Sequence, residues 1–349
     1  MAILRVAVLF GGRSGEHEIS IRSAASVIAA LDRSQYEVIP AAIDKQGRWL
    51  SPAASAAMLP AESRRDLSTD NAFRVDPQPG QSLGADVIFT VLHGTFGEDG
   101  TVQGLLELAD VAYVGSGVLG SACGMDKDVM KRLFRERRLP CVDHIALLRH
   151  EIDARWQEPA ERFGYPVFVK PANLGSSVGI SKAGNEAELR KALQDAAQYD
   201  RKLVVEPSID GREVELAVLG NDQPEASIAG EIVPASGFYS YESKYLDDSA
   251  TLEIPAQLSA EQLAEAQRLA VAAFRAVECR GLARVDFFLE RRTGRFLLNE
   301  VNTMPGFTSI SMYPKLWEAS GLPYPRLVNR LIELALERHA EKRTIRFER

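Results

Sequence analysis

Arg284, Asp286, Glu300 and Asn302 stand on two stretches, Arg284 to Glu290 and Arg295 to Asn302, whose residues alternate as those of β-strands do. A three-residue loop, Arg292 to Gly294, with Gly294 in the left-handed position, pairs Arg291 with Arg295. That register sets Asp286 opposite Glu300 and Arg284 opposite Asn302 on one face of a hairpin. Facing carboxylates with Cβ atoms about 4.5 to 5.5 Å apart repel each other. A divalent cation relieves the repulsion, and the hard oxygens of Asp, Glu and Asn suit Mg²⁺, which binds together with substrate phosphates. The alternative is a solvated face whose acids pair with nearby arginines.

Other residues fit the same chemistry. Gly175-Ser-Ser-Val-Gly179 is a Gly/Ser loop between two expected strands, able to offer amides and hydroxyls to phosphate oxygens, or else to be an ordinary hairpin tip. Lys170 precedes the loop, Lys127 opens an earlier helix, and Glu206 follows a strand. Together with the acidic hairpin they supply phosphate charge, a hydrogen-bonding edge and metal ligands, the set that bound Mg·ATP requires. Competing motifs fail on context. Gly115-Ser-Gly-Val-Leu-Gly120 fits a dinucleotide fingerprint but follows the last strand of its unit, where such folds use the first turn. The Gly175 to Gly179 stretch also fits a nucleophile elbow, yet a strand follows it and the only later histidine is His339. No Gly-Lys pair exists, so there is no Walker A loop.

The elements that must position these residues read as three units. Strands at 5–10, 36–43 and 85–92, a short strand at 111–114 and a helix from Ile19 to Leu31 make an N-terminal α/β unit with a mostly parallel sheet, closing near Cys123. Residues 52–81, rich in Ala, Ser, Pro and Asp without clear period, read as a surface insertion. Asp126 caps a helix from Lys127 to Arg138 with an apolar stripe over a basic face. Strands at 167–170, 179–182 and 203–206 and a helix at 186–198 follow. The third unit has strands at 215–219 and 228–233, a polar aromatic loop at 236–251, a helix from Ser259 to Cys279, the hairpin and a terminal helix from Pro325 to about His339.

Bulk properties point the same way. A length of 349 residues allows more than one domain, and a net charge of -7 argues against nucleic acid or a membrane surface as the main partner. Three cysteines without paired spacing suggest reduced thiols in a cytoplasm and no zinc site. Arg5 and the Gly11-Gly12 pair interrupt the apolar N-terminus, which reads as a buried strand and not a signal peptide, and no run is long enough to span a membrane.

Six stretches make the combination recognisable. They are Gly11-Gly-Arg-Ser-Gly-Glu-His-Glu-Ile-Ser20, His93-Gly-Thr-Phe-Gly-Glu-Asp-Gly100, residues 115–127 ending in Met-Asp-Lys127, residues 170–179 from Lys170 through the Gly/Ser loop, Tyr239-Ser-Tyr-Glu-Ser-Lys-Tyr245, and Asn299-Glu-Val-Asn-Thr-Met-Pro-Gly-Phe-Thr308. In this order the chain resembles the ATP-grasp superfamily and, over nearly its whole length, the D-alanine:D-alanine ligase family. The resemblance implies an α/β, three-domain ATP-grasp architecture: an N-terminal α/β domain over 1–123, then central (124–212) and C-terminal (213–349) α+β domains that clasp ATP.

The resemblance also implies roles. Lys127, Lys170, Ser176 and Ser177 resemble the groups around the ATP phosphates, Glu206 and Ile209 the adenine edge, and Glu213 the ribose contact. Asp286, Glu300 and Asn302 resemble the ligands of Mg²⁺, for which Mn²⁺ can substitute. Glu16 matches the carboxylate that holds the ammonium of a first D-alanine, beside His93; helix N-terminal placement and turn packing are the plainer readings of these two. Arg284 and the Gly306 amide match oxyanion stabilisers, and Ser311 and Lys244 the pair receiving a second D-alanine's carboxylate. Ser176 and Tyr245 match partners linking the phosphate loop, the 236–251 lid and Glu16 on closure. Pro207 departs from relatives that carry an N–H there, but its carbonyl remains an acceptor. The implied activity is ATP-dependent formation of D-alanyl-D-alanine through D-alanyl phosphate, for peptidoglycan precursors, by a cytoplasmic homodimer. Another ATP-grasp ligase, D-alanine:D-lactate ligase in particular, is the alternative.

Overall fold

The computed structural model describes residues 3–70, 84–234, 250–308 and 310–346. Lys244, Tyr245 and most of the expected lid lie outside them.

The first sheet holds β1 (Leu4–Gly11), β2 (Tyr36–Ile43), β3 (Val87–Thr90) and β4 (Ala112–Tyr113), all parallel in the order β2-β1-β3-β4. Val6 to Phe10 are fully buried, as a strand covered on both faces must be. One cover is α1 (His17–Ala30), which buries Ala24, Val27 and Ile28. The other depends on the far end of the chain: Leu327, Val328 and Leu331 of α11 (Tyr324–Lys342) join the core of Val6, Val8 and Phe89. The interrupted stretch after β2 is not a formless insertion. Ser51 caps a helix, α2 (Pro52–Met58), and its Ser55 hydroxyl receives the Ala42 amide at 2.9 Å. Periodicity missed it because a seven-residue helix with four alanines and a serine shows little amphipathic contrast.

After α3 (Thr101–Leu108) comes α4 (Val118–Met125), a helix absent from the sequence reading. A Cβ on its Gly120 would stand 2.4 Å from the Glu278 carbonyl oxygen, so the dinucleotide-like glycines serve close packing against a neighbouring segment. Asp126 then caps α5 (Lys127–Glu136) through the amides of Asp128 and Val129, as expected.

The second sheet comprises β5 (Ile145–Leu148), β6 (Val167–Pro171), β7 (Ser181–Ala183) and β8 (Lys202–Pro207), antiparallel in the order β5-β8-β6-β7. Its core rests on α8 (Glu186–Ala196); the short helices α6 (Ile152–Arg155) and α7 (Glu158–Phe163) and strand β5 were not foreseen. The third sheet is β9 (Gly211–Gly220), β10 (Glu225–Pro234), β11 (Ala250–Glu253), β12 (Gly281–Glu290) and β13 (Phe296–Asn302), ordered β11-β10-β9-β12-β13 and packed on α9 (Ala260–Ala276). Ser259 and Gln262 form the capping box of α9. Pairing of Pro234 with Ala250 makes the intervening residues a connection between two antiparallel strands, so the last expected lid residues belong to β11. The α/β class with three sheet-bearing units is borne out.

The hairpin is right at its business end for a different reason. Glu290, not Arg291, closes the turn, its amide donating to Arg295 at 3.0 Å and its carbonyl accepting from Gly294 at 2.8 Å. Gly294 has φ +66, the left-handed position. A bulge then adds one residue to β13, so that Phe287 faces Leu298 while Asp286 faces Glu300 and Arg284 faces Asn302. The longer turn and the bulge offset each other. The extra residue, Asn299, puts two consecutive polar side chains, Asn299 and Glu300, on the side opposite buried Leu298 and Val301.

Candidate active site

Glu16 follows β1 and His93 follows β3, neighbours from which the chain departs to opposite sides of the parallel sheet. That switch point is where open α/β sheets hold ligands. The Ser20 hydroxyl binds both strand ends, accepting from the Gly11 amide at 2.8 Å and donating to the Val91 carbonyl at 2.6 Å. Glu16 sits at the N-cap of α1 without a side-chain capping bond. The helix-terminus placement is thus as read, and the carboxylate in addition accepts from the Ser176 hydroxyl.

His93 is 4% exposed and tightly held. Its Nδ1 lies 3.1 Å from the Met304 carbonyl, which can only accept, so Nε2 accepts from the Ser23 hydroxyl at 3.0 Å. Ser23 Oγ in turn receives the Phe307 amide at 3.3 Å. His93 thus straps the segment after β13 to the first sheet. The Phe307 ring reinforces this, edge-on to Phe89 at 5.7 Å and fully buried, which contributes about 3 kcal/mol. Burial drives the His93 pKa down to about 4, so the ring is neutral near pH 7. A histidine depressed from 6.5 to about 4 takes up its proton more readily unfolded, and stability falls as pH drops through that window. Relative to His93→Gln, the wild type is expected to lose roughly 3 kcal/mol between pH 6.5 and 4 in urea denaturation. Parallel curves would show that His93 is not buried neutral.

Glu98 was missed by sequence reasoning, although it lies in the same stretch as His93. Its carboxylate accepts from the Gly94 amide at 2.7 Å, and burial and the charge of Glu16 push its pKa up. Glu16, buried, and Glu98, half-buried, therefore form an acidic pair, a place for a cationic group.

On the hairpin, the Arg284 guanidinium forks onto Asp286 with two bonds of 2.8 Å and reaches Glu215 at 3.0 Å. Burial pulls the Arg284 pKa down, but Asp286 and Glu215 outweigh it and raise it further. Asn302 donates to Asp286 at 2.9 Å, which leaves its amide oxygen for another partner. Lys127 is 3.4 Å from Glu300 and donates to the Leu174 carbonyl at 2.7 Å, binding α5 to the Gly/Ser loop. The two acids are thus both compensated by cations, but only Asp286 by an arginine as the alternative reading expected, and Asp286 is buried, not solvated. That does not remove the metal reading. Asp286, Glu300 and Asn302 converge as hard oxygen donors, and a divalent ion fits by taking over charge that Arg284 and Lys127 now neutralise.

Deeper in, Lys170 meets Glu206 at 2.6 Å, and burial, which would raise the Glu206 pKa, is overcome by Lys131 and Lys170, which bring it to about 2. Lys131 was read as part of a basic face but is fully buried, 3.0 Å from Glu206. Its signal was there: it lies four residues after Lys127, hence on the same side of a helix. Ile209, half-buried, joins β8 to β9, and Glu213 on β9 adds its charge to the surroundings of Lys170. Ser176 and Ser177 take positive φ, +52 and +60, so the loop bends tightly over the cleft.

A Cβ on Gly306 would lie 2.7 Å from the Ser311 hydroxyl. Ser311 heads α10 (Met312–Ala319) without capping it and accepts instead from the Thr308 amide at 3.0 Å. A cleft of about 390 Å³ is lined by Glu16, His93, Ser176, Arg284, Gly306 and Ser311 among others. Glu215 and Lys315 also line it, neither anticipated from sequence.

A parallel α/β unit, two antiparallel units and a cleft lined by acids, an arginine and a lysine from them define an ATP-grasp fold. Two family models match, D-ala D-ala ligase N-terminus over residues 5–116 and D-ala D-ala ligase C-terminus over 133–333. The chain belongs to the D-alanine–D-alanine ligase family. It is 54% identical to the D-alanine–D-alanine ligase of Solibacter usitatus over 99% of both chains, and 50% identical to that of Heliobacterium modesticaldum over 97% of this chain and 96% of the other. Among solved structures, the D-alanine-D-alanine ligase from Coxiella burnetii matches with TM-score 0.83 and 40% identity, covering 98% of this chain and 97% of that one. VanG D-Ala:D-Ser ligase from Enterococcus faecalis also gives 0.83, at 34% identity, covering 96% of this chain and 100% of its own.

Proposed function

We propose that the protein joins two D-alanines to D-alanyl-D-alanine at the expense of ATP, through D-alanyl phosphate, in the supply of peptidoglycan precursors. One observation carries this reading: Glu16, Glu98, Arg284, Gly306 and Glu300 line one cleft, and Lys127 reaches it through Glu300 at 3.4 Å while Lys170 stands behind it on Glu206 and Asn299. Family membership supports it.

The chemistry follows from the electrophile. A carboxylate resists attack by an amine, so its oxygen first attacks the γ-phosphorus of ATP, the bond to ADP breaks and an acyl phosphate forms. The free amine of the second D-alanine attacks the acyl carbon, and the tetrahedral intermediate collapses with release of phosphate. Glu16, beside Glu98, holds the ammonium of the first D-alanine, and His93 fixes the wall behind it. Lys127 and Lys170 take phosphate charge, with Ser176 and Ser177 on the phosphate loop. Glu206 and Ile209 form the adenine edge and Glu213 contacts the ribose. Asp286, Glu300 and Asn302 would hold Mg²⁺, or Mn²⁺ in its place, which would supply positive charge at the phosphates. Arg284 and the Gly306 amide stabilise the oxyanion, and Ser311 receives the second carboxylate with Lys244, which lies outside the described residues, as does the lid residue Tyr245.

The three sheets support a division into domains over 1–123, 124–212 and 213–349, with β9 of the third sheet already begun at Gly211. Exposed Leu108, Val118 and Leu119 on α3 and α4 favour a homodimer. Among the described residues no helix is long and apolar enough to cross a membrane; the cytoplasmic location rests on the family resemblance alone. The test is release of ADP and phosphate: it is expected with D-alanine and absent with L-alanine, with D-alanyl-D-alanine found by chromatography. Equal turnover of both enantiomers would remove the assignment.

A further inference from the structure

We propose that Lys131 is a positioning residue for the nucleoside triphosphate: fixed on one oxygen of Glu206, it releases Lys170 to the phosphates and leaves the other oxygen for the 6-amino group of adenine. The proposal rests on the reading of Glu206 as the adenine edge and of Lys170 as a phosphate ligand.

Glu206 is 2% exposed and carries two lysines, one per oxygen: Lys131 Nζ stands 3.0 Å from Oε1 and Lys170 Nζ 2.6 Å from Oε2. One lysine suffices to neutralise one carboxylate. Burying a second cation is unfavourable compared with an apolar side chain of similar volume, so the fold alone gives no reason for it. The two lysines differ in what else they reach. Lys170 comes from the end of β6, just before the Gly/Ser loop, and lies 3.4 Å from the Asn299 amide oxygen that the β13 bulge turns to this side. Glu300 and Glu213 also act on its charge, so it stands between the adenine edge and the metal site. Lys131 is fully buried on α5 and has no such second direction; Glu206 is the acid it faces. Their contact is short but not well directed: neither Lys131 Nζ nor Glu206 Oε1 makes a hydrogen bond of good geometry among the described residues.

The consequence is an exchange of partners. When the ammonium of Lys170 turns to a triphosphate, Oε2 of Glu206 is vacated beside the nucleotide while Lys131 keeps Oε1 and the negative charge. A carboxylate accepts only, so it suits the N–H of a 6-amino group and opposes a 6-oxo group. Without Lys131 the carboxylate retains Lys170 or takes a proton, and either change spoils the acceptor.

Initial rates of the full-length protein with ATP and with inosine triphosphate, at saturating D-alanine and Mg²⁺, test this. Lys131→Met is expected to raise KM for ATP by about tenfold or more and to cut the ATP-to-inosine-triphosphate ratio of kcat/KM by about tenfold, with KM for D-alanine nearly unchanged. Lys131→Arg, which keeps the charge, is expected to hold most of the ratio. If Lys131→Met does not accumulate as folded protein, Lys131→Gln removes the charge while keeping a donor and is read in the same way. An unchanged ratio in the uncharged variant overturns the proposal and leaves Lys131 a packing residue. Glu206→Gln separates the two levels: a lowered ratio there with an unchanged one in Lys131→Met sinks only the proposal, whereas an unchanged ratio in Glu206→Gln sinks the adenine-edge reading beneath it.

Discussion

Arg284→Met is expected to lower kcat/KM for D-alanine by about 10³-fold and to destabilise the protein by about 3 kcal/mol. The two effects have separate causes. The guanidinium lies between Asp286 and Glu215, both largely buried, and its removal leaves them without their shared cation. Loss of an oxyanion donor acts on the transition state and lowers kcat. Arg284→Lys tells them apart, since an ammonium restores the charge but cannot reproduce the fork of two 2.8 Å bonds to Asp286. Most of the stability is expected to return in that variant while kcat stays about 10²-fold low. Urea denaturation at neutral pH and initial rates measure both. A methionine variant as stable as the wild type would mean that the acids find other partners, and one with full kcat would dismiss the oxyanion role.

Glu300→Gln is expected to lower kcat/KM by about 10²-fold or more at fixed Mg²⁺, with part of the loss recovered as Mg²⁺ is raised. A bare pair of facing acids would also predict that the amide stabilises the metal-free protein. The structure removes that expectation: Glu300 is 3.4 Å from Lys127, and Asp286 is held by Arg284 and Asn302, so little repulsion is left to relieve. The side chain is 23% exposed, and the change in metal-free stability is expected to stay within about 1 kcal/mol. Thermal melts without metal and a Mg²⁺ titration of phosphate release give the two readings. Wild-type activity at low Mg²⁺ would take Glu300 out of the metal site.

The choice of acceptor is a matter of side chains more than of fold. The D-alanine-D-alanine ligase from Coxiella burnetii and a D-Ala:D-Ser ligase superpose on this chain with the same TM-score of 0.83. Ser311 and Lys315, one helical turn apart along α10, both line the cleft, and substitutions there are where a change of acceptor is to be sought.

How much was legible in the sequence depended on how local the cause was. Asp126 as a cap, the buried strand before Gly11 and the left-handed Gly294 follow from neighbours a few residues away, and each is found as read. The order of six motifs identified the family before any coordinate, because the backbone and charges needed by a bound triphosphate restrict which residues stand in each place.

Only the tertiary structure decided the rest. Alternation put Asp286, Glu300 and Arg284 on one face, but the turn closes at Glu290 and the bulge at Asn299 restores the register, a correction no period-two pattern reveals because pairing is a property of two strands. Helical spacing placed Lys131 on the side of Lys127, yet whether that side met water or the buried Glu206 depended on β8, more than sixty residues further along the chain. The cover of the first sheet by α11 is likewise decided by packing between the two ends of the chain. An isolated strand or helix shows which residues share a face. What that face meets, and so whether a lysine is solvated or a buried counter-ion, is settled only when distant elements exclude water from between them.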